Sequence, residues 1–173
     1  MLFSKQPLSP EQLYFAILSG VEPEVLLRWD PDKTTIDIIK RFILNSSKGL
    51  TEITISRTPK VQFIHKSIKD FLLKENGLRN IWPNLRSNLQ GQSYERLRDC
   101  CFNYISIITS AYLEFCNSLL KALLKKTAAR RESASSVFHF LEYTVRNVLY
   151  HTDVAAGCGI AQENFIQSFP LDR

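Results

Sequence analysis

The chain has 173 residues, 45% of them hydrophobic and 23% charged, with a net charge of +5. That composition suits a globular protein with one good core or two small ones, and it excludes extensive disorder. The charge is mildly basic and evenly spread: residues 1–75 carry eleven Lys and Arg against nine Asp and Glu, residues 76–173 eleven against eight.

No apolar run approaches the roughly 20 residues of a membrane span. The N-terminus, MLFSKQPLSPEQL, lacks the long apolar stretch of a secretory signal. Cys100, Cys101, Cys116 and Cys158 show no C-x-x-C spacing and no matching histidine pattern. They read as reduced, mostly buried thiols of a cytoplasmic protein. In such a protein the glycosylation-like triplet Asn45-Ser46-Ser47 is a chance match.

Along the chain, Ser9-Pro10-Glu11-Gln12 starts a helix, with Ser as N-cap, Pro at the first helical position and Gln three after the cap. Leu13, Ala16 and Ile17 form its apolar face, and Gly20 is its expected stop. Trp29-Asp30-Pro31-Asp32 predicts a turn. A second helix is expected over 34–48, with Ile36, Ile39 and Ile43 as core stripe and Gly49 as C-cap. Residues 51–56 alternate, with Ile53 and Ile55 on one face. Arg57-Thr58-Pro59-Lys60 is a turn, and Val61 and Phe63 resume the alternation. Residues 51–64 therefore predict a β-hairpin. A helix follows from Lys66 or Ser67 to Lys74 and closes near Gly77.

Residues 78–91 read as a polar connector anchored by Trp82. Beyond it the pattern is helical. Leu97, Cys101, Tyr104, Ile105 and Ile108 mark one stripe, and Leu113, Cys116, Leu120 and Leu123 a second. Phe138, Leu141, Val145 and Val148 mark a third, with a short helix over 160–169. The expected fold is mainly α: a winged-helix domain with a short β-hairpin wing over 1–77, then an α-helical bundle or solenoid-like domain over 92–173.

His65 stands where the second strand runs into the following helix, close to helix N–H groups that favour anions. It is the one candidate site residue. The glycines, at 20, 49, 77, 91, 157 and 159, open no P-loop, so no nucleotide hydrolysis and no enzyme activity is expected. Gly157-Cys158-Gly159 reads as a helix end. Asp70, three after Ser67, reads as a capping-box partner. His139 and His151 read as packing or surface residues, with no third ligand spaced for a metal. Cys100 and Cys101 have no base in reach by sequence.

KVQFIHKSIKDFLLKENGL, with the upstream PLSPEQLYFAIL and the downstream FLEYTVRNVLYHTDVA, resembles the region that follows the nucleoside-triphosphatase domain in fungal NACHT proteins. These are STAND-class signalling ATPases or GTPases that often end in ankyrin repeats. The resemblance covers nearly the whole chain. In the wider class a Met-His-Asp motif occupies this joint of the winged helix, and its histidine contacts the β-phosphate of ADP in the resting state. Ile64-His65-Lys66 stands at those positions, with Lys66 in place of the acidic residue.

The resemblance implies a non-catalytic regulatory module in signal transduction, with His65 sensing a nucleotide only beside an NTPase domain. The nucleotide, ADP, ATP or GTP, would belong to the parent protein, and this chain would carry no cofactor. Its partners would be that NACHT NTPase domain in cis and ankyrin-type sensor repeats, with no membrane. A start at Met1 just before a helix the family places mid-protein implies a fragment of a longer product.

Two other classes compete. Lys40, Arg41, Lys48, Arg57, Lys60, Lys66 and Lys69 face only Asp37 and Glu52, as on a free-standing winged-helix nucleic-acid binder. Only Asn45 offers a base-edge reader there, which argues against nucleic acid as the partner. A protein-interaction scaffold with no nucleotide dependence is the third reading. The basic run Lys121, Lys125, Lys126, Arg130 and Arg131 reads as the C-terminal end of a bundle helix.

Overall fold

The structure, a computed structural model, describes residues 2–26, 33–74, 77–81, 83, 88–111 and 138–169. The expected turn at Trp29 to Asp32, Trp82, the Leu113 to Leu123 stripe and the basic run after it lie outside the described residues. Among those described, the chain is mainly α with one two-stranded antiparallel sheet.

Helix α1, Pro10–Val21, begins as its sequence predicts. Ser9 Oγ accepts from the Gln12 N–H at 3.2 Å, and Gln12 Oε1 accepts from the Ser9 N–H at 3.0 Å, closing a capping box. The helix ends at Val21, one residue past the expected stop at Gly20. A Cβ there would lie 2.6 Å from Cys100 Sγ, so the glycine permits close approach to a later helix instead of ending its own. A single turn, α2 (Pro23–Leu26), follows.

Helix α3 covers Ile36–Ser46. Ile39 and Ile43 are buried, whereas Ile36, its first residue, is exposed, so two residues of the expected three enter the core. Lys48 (φ 52°) and Gly49 (φ 79°) then turn the chain, with the Leu50 N–H on the Ser47 carbonyl at 3.0 Å. Two left-handed residues in succession make the reversal, and the first of them is Lys48 rather than glycine.

Strands β1 (Thr51–Ile53) and β2 (Val61–Phe63) pair antiparallel, with Glu52 opposite Gln62. The hairpin is there but shorter than expected. Its loop is closed by Thr54, whose N–H reaches the Lys60 carbonyl and whose Oγ1 accepts from the Lys60 N–H, both at 2.9 Å. Ile55 lies past the strand and is fully exposed, so it shares no buried face with Ile53. Val61 is buried, and its N–H bonds the carbonyl of Leu8, itself buried, at 2.9 Å. The N-terminal segment thereby lies along β2.

After β2 come α4 (Lys66–Lys74), α5 (Gly77–Ile81) and the long α6 (Leu89–Ala111). Asn88 caps α6: its Oδ1 accepts from the Gly91 N–H at 3.1 Å, and its Nδ2 donates to the Cys158 carbonyl at 2.7 Å. That carbonyl belongs to the end of α7 (Leu141–Gly157). There the Ile160 N–H meets the Ala155 carbonyl at 3.0 Å and the Gly159 N–H meets Ala156 at 2.8 Å, with Gly159 at φ +82°. This is a Schellman end, as the Gly-Cys-Gly reading anticipated. A last helix, α8, covers Glu163–Ser168.

Among the described residues helices α6 and α7 form the most extensive interface, and α1 packs on α6. Leu8, Phe15, Ile39 and Val61 share one buried cluster with Cys101, Tyr104, Phe140 and Phe165. The buried side of α7 differs from the expected apolar stripe. Val145 is exposed, while Thr144, Asn147, His151 and Thr152 are buried. Carbonyls of the helix itself accept from three of them: Leu141 from Thr144 Oγ1 at 2.7 Å, Tyr143 from Asn147 Nδ2 at 2.8 Å, and Val148 from Thr152 Oγ1 at 2.9 Å. Polar groups satisfied within their own helix can be buried at small cost, so apolar periodicity alone misplaces this face. No helix among the described residues is long and apolar enough to cross a membrane.

Candidate functional site

The joint between β2 and α4 is two residues long, and His65 is the second of them. Its Nδ1 lies 3.2 Å from the Ser67 backbone nitrogen, which donates to it, and 2.7 Å from Ser67 Oγ. The imidazole thus caps α4, satisfying an N–H that the helix itself leaves open. With Nδ1 accepting, a neutral ring carries its proton on Nε2, the nitrogen left for another acceptor. The ring is exposed, so such an acceptor could reach it.

Asp70 does not serve this cap. Because α4 begins at Lys66, Ser67 is the second helical residue rather than the N-cap. Asp70 instead pairs with Lys74 at 3.2 Å on an exposed face, where an ion pair contributes little.

Around His65 lies an open cleft of about 570 Å³. Lys66 and Lys69 line it from α4, Gln62 from β2 and Lys5 from the N-terminal segment, and among the described residues no acidic one does. None of the three lysines forms an ion pair with a carboxylate among the described residues. Their fields add in favour of a polyanion, opposed by the Glu52 carboxylate that accepts from Gln62 Nε2 at 2.8 Å beside the cleft. Lys40, Arg41, Lys48, Arg57 and Lys60, grouped with them by sequence, do not line it.

Ser4, Lys5 and Lys69 also line a second cleft of about 450 Å³, whose other walls include Phe3, Gln90, Tyr94 and Tyr150. Lys5 Nζ stands 4.3 Å from the centre of the Tyr150 ring. Behind this wall His151 is completely buried. Its ring lies 5.7 Å from that of Tyr94, and its Nε2 is 3.0 Å from the Tyr143 hydroxyl. Its Nδ1 has no partner among the described residues. Burial pulls its pKa down to about 4, keeping the ring neutral near pH 7, and burial likewise pushes the Tyr143 phenol up.

The remaining candidates are packing residues. His139 stacks on Phe15 with centroids 5.7 Å apart. Cys100 and Cys101 are free and buried, and burial pushes both thiols up, away from the reactive thiolate. Among the described residues no three His, Cys, Asp or Glu side chains gather as a metal site.

Sequence patterns did not point to Lys5, which precedes every predicted element, or to Tyr94 and Tyr150, which meet only when α6 and α7 pack. Nor did they single out Arg98. It is buried, lies 4.7 Å over the Phe165 ring, bonds Gln162 Oε1 through Nη1 and reaches Asp99 Oδ1 at 2.7 Å through Nη2. An arginine on an amphipathic helix ordinarily reads as exposed. No protein-family model, curated protein or solved structure matches the chain.

Proposed function

We propose that the chain is a non-catalytic regulatory module of a NACHT-type signalling NTPase. Its winged-helix unit (1–77) reads the phosphates of a bound nucleotide, and its helical part (92–173), reached through the connector (78–91), passes that state to a C-terminal sensor. The observation that carries this reading is the lysine-lined cleft, in which His65 caps α4 and Lys5, Lys66 and Lys69 line the walls. A phosphate there would gain Coulomb attraction, a histidine N–H and the positive end of a helix together. Such a joint regulates only if it binds one nucleotide state better than another, because differential affinity alone shifts a population.

The helix that would enter a DNA groove supports a protein partner better than a duplex. Exposed Ile36, Ile38, Phe42 and Leu44 lie along α3, and apolar side chains of that kind suit a neighbouring domain.

Calorimetric titration of the chain with inorganic pyrophosphate, at low and at physiological salt, tests the reading. Saturable binding that weakens with salt, and is lost in the Lys66→Glu/Lys69→Glu variant, is expected. Absence of saturable binding at low salt, or the same binding in that variant, would overturn it.

A further inference from the structure

The two clefts share Ser4, Lys5 and Lys69 in their walls, and they differ in chemistry. One side presents His65 and lysines; the other presents the rings of Phe3, Tyr94 and Tyr150 with the Gln90 amide beside them. We propose that together they form one groove that holds a nucleoside polyphosphate within this chain, phosphates on the lysine side and base against the tyrosines. The inference rests on the phosphate reading above and adds base recognition to it. In that reading the nucleotide is held by another domain; here the chain supplies both halves of a site.

Three observations support the aromatic half. Tyr94 is braced by Phe3 at 5.8 Å, by Tyr150 at 6.2 Å and by His151 at 5.7 Å between centroids, so its ring loses little freedom when a base stacks on it. Lys5 lies against Tyr150 while also lining the cationic side, so one residue joins the two chemistries. Among the described residues no acidic one lines either cleft, which favours a polyanion along the groove. At about 450 and 570 Å³, each cleft falls in the range of small-molecule sites.

The test compares ADP, pyrophosphate and adenosine by calorimetry on the wild-type chain in one low-salt buffer. ADP is expected to bind about tenfold tighter than pyrophosphate, the gain of stacking one base. Adenosine, without charge, is expected to bind more weakly than either. Tyr94→Leu and Tyr150→Leu should each narrow the gap between ADP and pyrophosphate. The wild-type comparison decides the matter even if either variant fails to fold. Equal affinity for ADP and pyrophosphate would overturn the nucleoside inference and leave the phosphate reading standing. Absence of binding by all three would overturn both.

Discussion

At the hairpin–α4 joint the polar side chains face water and are satisfied within four residues of themselves: His65 by Ser67, Asp70 by Lys74. In the α6–α7 pair they are buried and bonded inside the protein, as with Tyr143 and His151 Nε2, Arg98 and Gln162, or Asn147 and its own helix. The first arrangement leaves charge available to a ligand. The second commits its polar groups to partners within the protein, most of them on α7 itself. Removing a group should therefore cost stability in the α6–α7 pair, and cost binding at the joint.

The largest expected effect tests the buried side. Arg98→Ala removes the charge that fixes α8 and leaves Gln162 buried without that partner, and should cost about 3–4 kcal/mol in urea denaturation. Arg98→Met, which keeps much of the volume, should recover part of it. A loss within about 0.5 kcal/mol would break the comparison outright.

His151 adds a pH signature. Its folded pKa, about 4, lies below its unfolded value of 6.5, so the unfolded chain takes up the proton first. Stability should be full above about pH 6.5 and fall by up to about 3 kcal/mol as the pH drops towards 4. His151→Gln should flatten that slope, measured by denaturation across the same range.

Gly20→Ala should cost about 2 kcal/mol through the contact with Cys100, and Cys100→Ala in the same chain should relieve much of it. Ser9→Ala, which opens the capping box, should cost about 1 kcal/mol. Lys66→Ala and Lys69→Ala should change stability by less than about 0.5 kcal/mol while weakening pyrophosphate binding. That last pair sharpens the comparison most, because it separates function from folding at single residues.

Local rules account for what was legible in the sequence. The Ser9 capping box, the Gly159 helix end and the hairpin each depend on residues within a short span, and each formed. His65 was legible for the same reason: strand, histidine and helix are consecutive. What the sequence hid depends on distant packing. Gly20 looked like a helix stop because its neighbour Cys100 is far along the chain. The face of α7 was misplaced because Thr144, Asn147 and Thr152 bond carbonyls of their own helix and can be buried despite being polar. Lys5 entered the candidate site only because Leu8 pairs with Val61 and draws the N-terminal segment over the joint.

The three histidines, His65, His139 and His151, are built-in reporters of the central claim. Side-chain imidazole NMR of the chain, titrated with pyrophosphate at low salt, reads all three at once. The account predicts that the His65 resonances and the Lys66 and Lys69 amides move saturably while His139 and His151 stay in place. Unmoved His65 resonances, or shifts spread evenly over all three rings, would contradict it.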